Sequence, residues 1–220
     1  MKKEIILTKD GSTSIFLPEL NETYHSKFGA IQEAKHVFIK SGLSLLNDKS
    51  VSILEIGFGT GLNAFITFLE AINTNQSINY VGVEAYPVEI DIIENLNYVS
   101  ELEALAHQTI FNEMHQSEWE VENKITSNFN LTKRKQKFED ISDSEKYNLI
   151  YFDAFGFDVQ PELWSEEIFQ KMYDALLSEG ILVTYACRTS IKKAMLNAGF
   201  SVEKLPGAPG KREMLRAIKN

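Results

Sequence analysis

Glu55, Gly57, Gly59, Gly61 and Asn63, on alternate positions, could assemble a binding loop for a small molecule. Alternate glycines give a backbone that takes positive φ and lets a ligand approach closely. The start of a following helix leaves N–H groups unpaired beside that ligand. Spacing selects among ligands. The dinucleotide fingerprint G-x-G-x-x-G would need a glycine where this chain has Leu62, and no Lys-Ser/Thr pair follows to make a P-loop. Two further acids stand where an open α/β sheet binds ligands, outside the carboxyl ends of strands. Glu84 follows the apolar run 78–83 and could accept hydrogen bonds from a ribose diol; Asp153 follows the apolar run 148–152. Phe155, Phe157 and Trp164 come next, able either to stack on a flat substrate or to pack as ordinary core.

These residues need elements to hold them. Val51, Ile53, Leu54 and Ile56 predict a buried central strand, and residues 62–72 an apolar helix, so the glycines fall in a strand–turn–helix unit. Residues 1–20 predict a β-hairpin around Asp10-Gly11. Ala34, Val37 and Phe38 mark a helix after Tyr24-His25-Ser26. Pro87 suits the first turn of a helix, and residues 88–118 read as helical, with Ile90, Ile93, Leu96, Leu102, Leu105 and Ile110 inward. Residues 119–125 and 128–138 alternate in part, as paired strands do. The second holds the densest basic run, Lys133-Arg134-Lys135-Gln136-Lys137, readable as a solvated strand or as a phosphate-facing one. Ser165 caps a helix carrying Glu166 and Glu167 in its first turn, with Gly180 expected to end it. Strands at 181–186, 200–204 and 214–218 and a helix over 189–198 complete the pattern. A loop at 206–213, rich in glycine and proline, carries Lys211 and Arg212.

The chain's 220 residues and 44% hydrophobic content fit one globular unit with a real core. No apolar run reaches the ~18 residues of a membrane span. The N-terminus is too soon charged for a signal peptide, so a cytoplasmic location is expected. The single Cys187 excludes an internal disulfide. His25, His36, His107 and His115 lack zinc-ligand spacing, so no metal is expected. A net charge of −9 argues against general affinity for nucleic acid but leaves room for a local basic face.

The pattern E-x-G-x-G-x-G from Glu55 to Gly61 resembles the first motif of Rossmann-like class I S-adenosylmethionine-dependent methyltransferases. A narrower resemblance rests on several segments together. They are Tyr24-His25-Ser26, the loop from Glu55 to Asn63, Asp153-Ala154-Phe155 with Pro161-x-x-Trp164, and Gly210-Lys211-Arg212-Glu213-Met214-Leu215. From about residue 10 onward the chain is similar to the methyltransferase domain of the bifunctional tRNA 5-methylaminomethyl-2-thiouridine biosynthesis protein.

The resemblance implies an α/β fold with a mostly parallel seven-stranded sheet and an antiparallel last strand. An N-terminal extension, residues 1–45, would precede a methyltransferase domain at 46–220. It implies methylation of the aminomethyl group of 5-aminomethyl-(2-thio)uridine at tRNA position 34, with S-adenosyl-L-methionine as cofactor. Glu55 and the loop from Gly57 to Asn63 would hold the methionine end, Glu84 the ribose and Asp140 the adenine side, with Tyr24 and Ser26 also at the cofactor. Asp153 would lie beside the cofactor and orient the amine. Phe155 and Trp164 would meet the substrate. Lys133, Arg134, Lys135, Lys211 and Arg212 would form a basic rim for the anticodon region. The chain looks like a form without the FAD domain, so a separate oxidoreductase would supply the aminomethyl precursor. Where the family has Asp-Gly-Phe-Ala-Pro, this chain has Asp153-Ala154-Phe155-Gly156-Phe157. A methyltransferase of a small-molecule amine or carboxylate, and a non-catalytic cofactor-binding module, remain alternatives.

Overall fold

A computed structural model describes residues 2–220. Strands β1 (Glu4–Leu7) and β2 (Thr13–Leu17) form the expected hairpin, to which a short β3 (Glu22–Thr23) adds a third strand. Helix α1 (Ala30–Ala34) widens into π-helical turns over Lys35–Lys40. Then come β4 (Ser50–Ile56), α2 (Leu62–Thr74) and β5 (Ser77–Val83). Three short helices follow: α3 (Ile90–Ile93), α4 (Tyr98–Glu101) and α5 (Gln108–Gln116). Next are β6 (Glu122–Thr126), β7 (Phe129–Arg134) and β8 (Tyr147–Phe152). Helix α6 (Glu166–Ala175), β9 (Leu176–Thr184), α7 (Thr189–Asn197), β10 (Ser201–Pro206) and β11 (Glu213–Ile218) end the chain.

The main sheet has eight strands in the order β10-β11-β9-β8-β4-β5-β7-β6. The pairs among β9, β8, β4, β5 and β7 are parallel. β11 runs antiparallel to β9 and β10, as expected of the last strand, and β6 runs antiparallel to β7 at the other edge. The count of seven is thus one short. The residues before β7 alternate well enough to fold back on it through Ser127-Asn128. β4 lies near the middle because Val51, Ile53, Leu54 and Ile56 are all fully buried, as a strand covered on both faces must be.

One apolar cluster joins Val37, Phe38 and Leu43 to Val51, Phe65 and Tyr151 across the boundary placed at residue 45. The N-terminal helix therefore packs on the same core as the sheet.

Two sequence expectations give way. The long helix over 88–118 is broken. Asn97 spends its side chain on the hairpin turn, accepting Thr13 N–H at 2.7 Å and donating to Gly11 O at 2.8 Å, and Glu103 takes φ +54. Such side-chain bonds compete with helix continuation. Gly180 does not end α6. The helix stops at Ala175, because Leu176 already pairs with Tyr147, and Gly180 lies inside β9 at a register shift. A Cβ on Gly180 would come 2.8 Å from Leu177 O.

Candidate active site

Neighbouring parallel strands β4 and β8 deliver the glycine loop and Asp153 to one edge of the sheet. Asp153 N–H donates to Ile56 O at 2.9 Å, so the two strand ends are still paired where the loop begins. Gly57, Gly59 and Gly61 have φ of +92°, +49° and +69°. The reasons for glycine differ among the three. A Cβ on Gly57 would sit 2.6 Å from Asp153 O, and one on Gly61 would sit 2.8 Å from His115. Those two positions are closed by the protein itself. Gly59 faces a slot whose far wall is Tyr24; a Cβ there would come 3.2 Å from Tyr24 Cδ1.

A cavity of about 430 Å³ fills this end of the sheet. Gly57, Gly59, Asn63, Glu84, Asp153 and Phe155 line it, together with Tyr24 and Ser26 from the N-terminal segment. Asn63 ties the floor together. Its Nδ2 donates to Glu55 Oε1 at 2.8 Å and to Asp153 Oδ2 at 2.9 Å. Glu55 is fully buried beneath the lining, and burial raises its carboxyl well above the usual range. Burial, then the charge of Glu33, push Asp153 up to about 7, with Asn63 pulling the other way. Glu84 Oε2 accepts Gly59 N–H at 3.1 Å and its Oε1 accepts Tyr86 N–H at 2.9 Å, which fixes the carboxylate at the cavity wall. His25 backs the loop through a 2.8 Å hydrogen bond to Thr60 Oγ1; burial and then Lys211 hold it near pKa 4.

Several expected site residues stand elsewhere. Asp140 is exposed and outside the lining. The single turn Phe138–Asp140 buries Phe138 and turns Glu139, not Asp140, to the cavity. Trp164 is 2% exposed and packs on Phe152; its Nε1 donates to Phe155 O at 2.8 Å, so it anchors the Phe155 loop instead of meeting a substrate. Lys133 is 1% exposed, on the inward face of β7, and its Nζ donates to His115 O at 2.6 Å. Burial lowers its ammonium to about 8. It therefore faces no phosphate. Arg134 is paired with Asp143 at 2.6 Å. Lys211 lines the cavity and is half-buried there, paired with Glu33. Lys135 and Arg212 are exposed.

Sequence reasoning overlooked Glu33 and Tyr185, both in the lining. Glu33 sits in a helix with no motif around it, and only its place in the first turn beside a buried face marked it. Lys9 and Lys27 are exposed, with Lys9 Nζ 4.4 Å from the ring centroid of Phe28 and Lys27 Nζ 5.3 Å from that of Phe16.

The slot between Gly59 and Tyr24, and the fixed Glu84 carboxylate, suit a ligand with a small charged end and a diol. Six carboxylates line the cavity, from Glu22, Glu33, Glu84, Glu139, Asp153 and Glu162, against two ammonium groups, Lys137 and Lys211. That balance favours cationic ligands. Among the described residues no group of three or more His, Cys, Asp or Glu could hold a metal ion, and no helix is long and apolar enough to cross a membrane.

Residues 98–220 match a protein family described as S-adenosyl-L-methionine-dependent methyltransferase. The tRNA 5-methylaminomethyl-2-thiouridine biosynthesis bifunctional protein of Campylobacter fetus is 28% identical over 212 residues, covering 88% of this chain and 34% of that protein. Its counterpart from Leptospira borgpetersenii is 28% identical over 235 residues, covering 89% and 32%. The chain thus spans about a third of the length of these relatives. Among solved structures, MnmC2 from Aquifex aeolicus superposes with a TM-score of 0.78 at 22% identity, covering 98% of this chain and 70% of that one. Spermidine synthase from Thermotoga maritima gives 0.53 at 13% identity, covering 95% and 70%. These two likenesses show the fold.

Proposed function

This chain belongs to the S-adenosyl-L-methionine-dependent methyltransferase family, and from that premise we propose that it methylates the aminomethyl group of 5-aminomethyl-(2-thio)uridine at the wobble position, 34, of tRNA. The relatives named for 5-methylaminomethyl-2-thiouridine biosynthesis suggest the nucleoside. The observation that carries the reading is the charge of the cavity. Six carboxylates suit a cationic donor and an amine acceptor, and they oppose a carboxylate acceptor.

The cofactor fits the residues present. Gly57 to Asn63 would hold its methionine end, with Glu55 supporting Asn63 from below. Glu84 would take the ribose diol, Tyr24 and Ser26 would close the opposite wall, and Glu139 stands where Asp140 was expected. When bound, the cofactor supplies a methyl group already activated on a sulfonium. The protein's task is then to align the acceptor, exclude water and manage one proton.

Asp153 is suited to that task. With its pKa near 7 it is poised to accept a proton from an ammonium group near neutral pH, which frees the nitrogen lone pair for attack. Asn63 fixes the orientation of its carboxylate. Phe155, on the loop anchored by Trp164, offers a ring to the flat base. Exposed Lys135 and Arg212, with Lys9 and Lys27, would supply phosphate contacts on an otherwise acidic surface. A tRNA acceptor suits a cytoplasmic reaction, with an oxidoreductase activity providing the aminomethyl precursor.

The test uses labelled S-adenosylmethionine and tRNA from cells lacking this methyl group, followed by digestion and identification of the nucleoside. Label in 5-methylaminomethyl-2-thiouridine is expected, and Asp153→Ala should lower turnover by more than about threefold, some 0.7 kcal/mol. Turnover within that limit would remove Asp153 from catalysis. The net charge of −9 favours one rival acceptor, a free amine metabolite, which predicts transfer without RNA.

A further inference from the structure

The cavity holds a second carboxylate and, already paired with it, a primary amine of the protein's own. Glu33 lies in α1 and is 7% exposed. Its Oε2 accepts Ser26 N–H at 3.1 Å, and its Oε1 pairs with Lys211 Nζ. The same ammonium lies 3.7 Å from the centroid of the Tyr185 ring. Tyr185 OH donates to Ala154 O at 2.8 Å, one residue beyond Asp153. Glu33, Lys211, Tyr185 and Asp153 all line the one cavity. A carboxylate removed from water needs a cation, and an aromatic face adds attraction for an ammonium group. An alkyl ammonium is therefore seated on a carboxylate and a ring within the space assigned to an alkyl amine acceptor.

We propose that Glu33 and Tyr185 form the seat for the acceptor's ammonium group, and that Lys211 holds this seat until the acceptor displaces it. The inference rests on the amine-acceptor reading above. Exchange of one ammonium for another keeps Glu33 paired in the free and the acceptor-bound states; after Asp153 takes the proton and the neutral amine attacks, the methylated ammonium formed pairs with Glu33 again. It also explains selectivity. A nucleoside lacking the amine could not replace Lys211 without stranding Glu33. The glycines and prolines of the 206–213 segment give Lys211 a short, tight support, with Lys211 N–H donating to Ala208 O at 2.8 Å. Glu33 is in this view a positioning residue for substrate. Its charge also helps raise Asp153, which makes that carboxylate a better proton acceptor.

Steady-state kinetics of the full chain with S-adenosylmethionine and tRNA from cells lacking the methyl group tests this. Glu33→Gln keeps the shape and an acceptor for Ser26 N–H but removes the charge. The KM for tRNA should rise about tenfold while the KM for S-adenosylmethionine stays within about twofold, and Glu33→Asp should recover part of the loss. Lys211→Met should lower the KM for tRNA or leave it within about twofold, because the resident cation is gone. An unchanged tRNA KM in Glu33→Gln, or an equal rise in the cofactor KM, overturns the proposal. So does a tenfold rise in tRNA KM in Lys211→Met. A measurement on the wild-type protein covers the case of a variant that does not fold. tRNA carrying the aminomethyl group should bind at least about tenfold more tightly than the same tRNA with plain uridine there. Equal affinities overturn the seat alone, whereas absence of any turnover or binding of either RNA overturns the tRNA reading beneath it.

Discussion

Replacing Asn63 by leucine removes one nitrogen that serves two carboxyl groups, and the cost must depend on pH. In the native protein Nδ2 donates to Glu55 at 2.8 Å and to Asp153 at 2.9 Å. Both carboxyls are raised by burial, Asp153 to about 7, and Asn63 pulls each of them down. Leucine therefore raises both further. A carboxyl raised on folding holds its proton in the folded state, so stability falls as pH climbs from its unfolded value near 4 toward its folded value. In wild type the Asp153 contribution to that fall is over soon above pH 7; in the variant it continues to higher pH. Near pH 5.5 Asp153 is protonated in both proteins, and the loss is that of an ordinary hydrogen bond, about 1 kcal/mol. Near pH 8 wild-type Asp153 is ionised, and the lost bond is charge-assisted, about 1.5–3 kcal/mol. Urea unfolding at both pH values and equal ionic strength should show a larger shift in midpoint at alkaline pH, worth about 0.5–2 kcal/mol on top of the loss of the Glu55 bond common to both, with the slope unchanged. Equal losses at the two pH values, or a larger loss in acid, would refute the assignment of Asn63 as a donor to ionising carboxylates.

Glu84→Ala removes the acceptor for Gly59 and Tyr86 N–H as well as the proposed ribose contact. Calorimetry should show cofactor binding weakened by about 1.5–3 kcal/mol, or roughly ten- to a hundredfold; unchanged affinity would exclude the role. Lys133→Met removes an ammonium spent on His115 O, so the salt dependence of tRNA binding should stay as it was. Arg212→Gln, at an exposed cation, should lower that salt slope by up to about one unit. The opposite pattern would move the RNA interface to the β7 edge.

The residues legible in the sequence are those whose role is local. Gly57, Gly59 and Gly61 announce a strand–turn–helix junction, and Glu84 and Asp153 stand at strand ends that hydropathy alone reveals. For Lys133, Trp164 and Lys211 a property other than residue type decides the place. Lys133 looked like a phosphate contact from its basic neighbours. Strand alternation sends every second side chain of β7 inward, and Lys133 takes that side with Phe129 and Leu131. Trp164 looked like a stacking surface, but its ring fills the space against Phe152 and Phe169. Lys211 looked like part of a charged loop, whereas its partner Glu33 comes from the far end of the chain. No spacing rule connects those two. The broken helix over 88–118 has the same origin, because Asn97 is claimed by a hairpin turn at Gly11.

The cavity borrows its walls from distant parts of the chain: Tyr24 and Glu33 near the start, Lys211 near residue 220, and the glycine cradle and Asp153 between. Contacts of such long sequence separation form late in folding. On the ribosome, the parallel strands β4, β5, β7, β8 and β9 all precede residue 211, yet until it emerges the acceptor's side of the cavity lacks Lys211. Completion of the acceptor's side of the cavity therefore waits on a segment more than 170 residues away from Glu33.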